Sequence, residues 1–183
     1  MKRNQVIRGV AILLGVVCLS LATTVARAED EPDQGTAQAA REELSQVRER
    51  AESMPIDARR ETDKRIAVTI GRVNNEASNR GQATVASRLA REFKTTVESL
   101  LDQKSEFGWS WGDLLIAQTL LANSGVTVSA RDLSDLRGRG LSWGAIAFGL
   151  QFHLEDFEDI VKAEGHVAMG LSKSGEKASA TGK

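Results

Sequence analysis

Two short stretches combine residues that could do chemistry. They are Gly108-Trp109-Ser110-Trp111-Gly112 and Gly140-Leu141-Ser142-Trp143-Gly144, 32 positions apart. Both read Gly-x-Ser-Trp-Gly. Gly-x-Ser-x-Gly is the nucleophile-elbow pattern of serine hydrolases, in which a strand leads into the serine, a helix follows it, and an acid and a histidine complete the triad. Here Val97 to Lys104 reads as helix, so no strand leads into Ser110. His153 and His166 are the only bases on offer, and a single nucleophile does not require two copies of its motif. A second role needs only local chemistry. A serine before an apolar helical run, with an acid three residues on, is a helix N-cap. Ser110-x-x-Asp113 has that form, as do Thr95-x-x-Glu98 and Ser129-x-x-Asp132, whereas Ser142-x-x-Ala145 keeps the cap and lacks the acid. The expectation is therefore a repeated helix start with no catalytic residue. An envelope serine hydrolase using Ser110 or Ser142 is the alternative.

The tryptophans divide in the same way. Trp111 and Trp143 hold equivalent places, each the first residue after its cap, and a core role is expected of both. Trp109 has Leu141 as its counterpart, which makes Trp109 the candidate contact for a ligand or partner, and a small-ligand-binding protein using an exposed Trp is a further alternative. Gly112 and Gly144 are expected to allow close packing in a first helical turn. No metal set and no cofactor motif is found. His153 and His166 lie 13 apart, and the acids of 155–159 lack the loop form that calcium sites need.

The motifs belong to a wider pattern. Ala86 and Leu89 match Ala117 and Leu120, then Ala147 and Leu150, at steps of 31 and 30 residues. Leu100, Leu133 and Phe157 follow in a second helix of each copy, and Gly108, Gly140 and Gly165 close the copies. This is a degenerate helix-turn-helix repeat with a unit of about 31 residues, within the period range of helical-hairpin arrays. Ile146-Ala147-x-x-Leu150 also resembles the helix-turn-helix of DNA-binding domains over about 30 residues, but no base-reading set accompanies it.

Ahead of the repeat, apolar residues at 37, 40, 44, 47, 51 and 54 form a narrow helical stripe that ends at Pro55. A second helix carries its stripe at Ile66, Ile70, Val73 and Ala77 and stops near Gly81. The two are expected to pair as an amphipathic hairpin over 37–80, with the repeat domain over 81–170. The stripe of 37–54 is the candidate surface for a protein partner or self-association.

Residues 1–28 read as a cleaved signal peptide. Lys2, Arg3 and Arg8 precede an apolar run, and Ala26-Arg27-Ala28 supplies the cleavage site. A flexible leader over 29–36 and a disordered polar tail over 171–183 complete the expected layout. The chain has 24 Lys+Arg and 25 Asp+Glu, and loss of the four bases in the signal leaves a net charge of −5. That balance argues against nucleic-acid binding. The only cysteine, Cys18, departs with the signal. The reading is an all-α, exported, non-enzymatic interaction or structural module, periplasmic or secreted, with no transmembrane segment in the mature chain.

Overall fold

A computed structural model describes residues 34–174, which hold eight helices and no strand. The signal segment 1–28 lies outside the described residues, as do most of the leader and positions 175–183 of the tail. The helices are α1 (Gln34–Ser53), α2 (Ile56–Arg80), α3 (Gln82–Glu92), α4 (Val97–Phe107), α5 (Trp111–Asn123), α6 (Ala130–Gly138), α7 (Trp143–Gly149) and α8 (Leu154–Ala168). The first three residues of α1 fall within the segment expected to be a leader.

Two helices are central because of their composition. α5 buries every residue from Trp111 to Leu120 except Asp113, and α7 has no charged residue at all. A short helix that is apolar all round must be covered on all sides. α2 covers both. Its buried face is Thr62, Ile66, Thr69, Val73 and Ala77, and it packs against α8, α5, α3 and α7. This face lies close to the expected stripe, with Ile70 only half-buried beside it.

The expected N-terminal hairpin is not formed. α1 packs against α7 and makes no more than marginal contact with α2. Pro55 stops α1 as expected, but its extended backbone (φ −56°, ψ 136°) leads the chain off to a different neighbour. Val47, Ala51 and Met54 are the buried part of the stripe, and α7 receives Val47 and Ala51 at Gly149. The candidate association surface is thus half used within the chain, while positions 38–40 remain exposed.

From α3 onward the helices follow as α3–α4, α5–α6 and α7–α8, with the members of each pair in contact. Ala86, Leu89, Ala117, Leu120, Ala147 and Leu150 are all buried, as are Leu100, Leu133 and Phe157. α8 returns to pack on α3 and α5, so the last pair meets the first. Two sequence expectations shift locally. The cap of α4 is Thr96 rather than Thr95, its hydroxyl accepting from the Ser99 amide. Gly165 does not close α8 but lies inside it, and the left-handed residue is Gly170 (φ +77°).

Candidate functional site: the Gly-x-Ser-Trp-Gly junctions

Each junction begins where a helix ends on a left-handed glycine. Gly108 has φ +65° and Gly140 φ +88°, a region glycine enters without a steric penalty. The next amide folds back onto the finished helix, Trp109 N–H donating to Lys104 O (3.1 Å) and Leu141 N–H to Leu136 O (3.3 Å). This is the Schellman closure. One residue later the serine opens the next helix. Ser110 Oγ accepts from the Asp113 amide (3.1 Å) and donates to Asp113 Oδ2 (2.5 Å), while the Ser110 amide donates to the same oxygen (3.2 Å). Ser142 Oγ accepts from the Ala145 amide (3.2 Å). Ser110 is entered from helix α4 in ordinary extended geometry (φ −71°, ψ 168°), not from a strand through a strained elbow. Its single proton is directed at a carboxylate in its own first turn.

Trp111 and Trp143 are 4 % and 3 % exposed, and both indole N–H groups are satisfied. Trp111 Nε1 donates to Gln82 Oε1 (3.1 Å) at the start of α3, and Trp143 Nε1 donates to Asp113 Oδ1 (2.7 Å) in the first turn of α5. Each tryptophan therefore reaches back one helix pair. Each ring also faces a cation from the preceding helix, Lys104 at 5.7 Å from the Trp111 ring and Arg137 at 5.1 Å from that of Trp143. Trp109, expected to be the freest of the three, is 7 % exposed. It lies between Phe107 (4.7 Å) and Trp143 (5.8 Å).

The last residue of each motif touches α2. Gly112 N–H donates to Asn74 Oδ1 (2.9 Å), and Gly144 N–H donates to Asp63 Oδ1 (3.1 Å). Asn74 and Asp63 stand three helical turns apart on α2, and each accepts a free amide from the opening turn of another helix. The approach is close enough to require glycine. A Cβ at Gly112 would stand 2.6 Å from the Ile70 Cα, and one at Gly144 would stand 2.8 Å from the Asp63 carboxylate.

The structure thus brings together Trp109, Ser110, Trp111, Gly112, Trp143 and Asp113 around one junction, with Ser142 and Gly144 at its counterpart. It does not bring a histidine to either serine. His153 is the residue before α8, and His166 Nδ1 meets Lys173 O (3.2 Å). Among the described residues no group of three or more His, Cys, Asp or Glu side chains is placed to hold a metal.

The acceptors Asp63, Asn74 and Gln82 were not anticipated. Only Gln82 leaves a trace in the sequence, since it precedes Trp111 by 29 positions and Asp113 precedes Trp143 by 30, close to the repeat spacing. Gly170-Leu171-Ser172 is a further turn of the same kind. It repeats Gly140-Leu141-Ser142 at a step of 30, and Leu171 N–H closes on His166 O (2.8 Å) as the other junctions do. Comparison with protein-family models, with curated proteins and with solved structures finds no match.

Proposed function

We propose that the protein is an exported, non-enzymatic helical module of the cell envelope or secreted space. On this reading it grew by degenerate repetition of a helix pair of about 31 residues, and it works by contacting or bracing other proteins. One observation carries this reading. The chemically capable groups of the two junctions are consumed by the fold. Ser110 is held in a capping box with Asp113, Ser142 caps α7, Trp111 and Trp143 both donate to side chains of the fold, and Trp109 is packed between two rings. The repetition of the tryptophan bonds, the ring-facing cations and the left-handed glycines supports descent from one unit. The loss of the acid at Ala145 fits the last copy, because no later tryptophan calls for an acceptor there. Terminal units of repeat arrays commonly depart from the consensus in this way.

No described helix is long and apolar enough to cross a membrane. The outer turns of α1, with positions 38–40 exposed, provide the surface for a partner helix. The test uses the chain from Glu29 onward. Crosslinking in envelope extract should recover a partner that is lost when Ala40 and Leu44 are replaced by Glu. A monomer that recovers nothing, or a hydrolase activity abolished by Ser110→Ala in a protein that still folds, would overturn the proposal.

A further inference from the structure

Glu164 is the only charged residue among the buried polar residues described, 7 % exposed on α8. Its Oε1 accepts from Lys173 Nζ at 2.8 Å, and its Oε2 is buried with no hydrogen-bond partner. The same ammonium lies 2.8 Å from Glu92 Oε1 on α3. Two carboxylates thus share one cation across the α3–α8 seam. Several other charges on the packed helices have partners of their own. Arg88 of α3 is held by Glu76 of α2 (3.0 Å) and by Ala168 O (3.0 Å). Arg65 of α2 pairs with Glu158 of α8 (2.9 Å). Asp113, the only charged residue of α5, is held by Ser110 and Trp143, and α7 has none. His166 meets the backbone of the closing segment at Lys173 O.

We propose that Glu92, Glu164 and Lys173 form a proton-binding site that tightens the α3–α8 seam as the surroundings acidify. With both acids ionised the cluster is one negative charge in excess, and a bare carboxylate oxygen is sealed from water. A proton on Glu164 Oε2 removes the excess charge and relieves the cost of burial, while Glu164 Oε1 and Glu92 still hold Lys173. The direction of the titration agrees. Burial pushes the Glu164 carboxyl above its ordinary value and the Glu92 charge adds to this, with Lys173 opposing. A carboxyl whose pKa is higher folded than unfolded binds its proton more tightly in the native state. Its contribution to stability therefore rises as pH falls from neutral toward the unfolded value of 4.5. Lys173, raised to about 12 by Glu164 and Glu92, stays charged throughout that window.

The test compares the thermal midpoints of the wild-type chain, Glu164→Gln and His166→Gln at pH 7 and pH 5. Glu164→Gln should melt about 2–4 °C above wild type at pH 7, and the gap should close by pH 5. His166→Gln should keep the wild-type response. A gap that is absent, constant or reversed overturns the proposal, and so does a response lost with His166. Should Glu164→Gln fail to fold, carbon-detected NMR of the wild-type carboxyl decides. A Glu164 midpoint above the ordinary glutamate range supports the site, and one at or below it overturns the site.

Discussion

Asp113 does more than any other single residue at the junctions. One carboxylate oxygen closes the cap of its own helix, and the other receives the indole N–H of the next motif. Two substitutions separate these roles. Ser110→Ala removes the cap alone and should cost about 1 kcal/mol. Asp113→Ala also leaves the Trp143 N–H buried without its acceptor, which adds about 1–3 kcal/mol. Urea unfolding of the two variants would check the order, and equal losses would show that the Trp143 bond contributes nothing. A gain is expected at the turns within pairs. Gln151 (φ +67°) and Lys94 (φ +52°) occupy the left-handed region without being glycine. Gln151→Gly should raise stability by about 0.5–1 kcal/mol, measured the same way. The cap at Ser110 was legible because serine, acid and apolar run lie within four residues. The second bond of Asp113 was not, because its donor lies 30 positions away.

Helix-to-helix approach in this protein is set by glycines without left-handed backbone. Gly112 and Gly144 lie on α2, Gly165 lies on Thr69 of the same helix, and Gly149 lies on α1, where a Cβ would stand 2.4 Å from Val47 O. Gly149→Ala should push α1 off α7 and cost about 1–3 kcal/mol, and Gly112→Ala should cost about as much. Gly71, within α2, meets nothing within 4 Å, so Gly71→Ala should instead stabilise by about 0.5–1 kcal/mol. Circular-dichroism melts of the three variants distinguish a packing role from a general effect of adding methyl groups. Sequence alone marks Gly112 and Gly144 for close packing, from their place in a first helical turn. It does not mark Gly149 or Gly165, nor what any of them meets, since the opposing residue comes from another helix 38 to 99 positions away in the bonds that mark these contacts. The same limit explains the unmade hairpin. A stripe interrupted by Pro55 shows that two helices exist and where they part, but small residues such as Ala51 fit several neighbours, and Gly149 decides which one is met.

At the scale of the whole described region, the three pairs do not stand in an open row. In an open array each unit touches only its neighbours, and removing the last unit leaves the others folded. Here α8 packs on α2, α3 and α5, and Lys173 and Arg88 fasten its end to the first pair. A chain ending at residue 150 should therefore lose most of its helical signal, not the fraction that α8 contributes, and far-ultraviolet circular dichroism of the truncated protein checks this. The apolar periodicity of the sequence made the helical character of the chain legible. It carried no information about the return of α8, because a repeat specifies the neighbour of each unit and not where the row ends. The tail is small and polar in sequence, which predicts disorder and hides the charge partners that Lys173 meets on other helices. Residues 171–174 are described, and Lys173 is bound at both carboxylates.

The contact of Gly165 with Thr69 and Val73 has a consequence for how the chain is made. A ribosome delivers residue 69 long before residue 165. Until the last helix emerges, the face of α2 that α8 will occupy lacks its native cover. Loop closure over such a separation is slow compared with forming a single helix. The seam between α2 and α8 is thus among the last parts of the fold to close, and one face of α2 waits for the final helix to be synthesised.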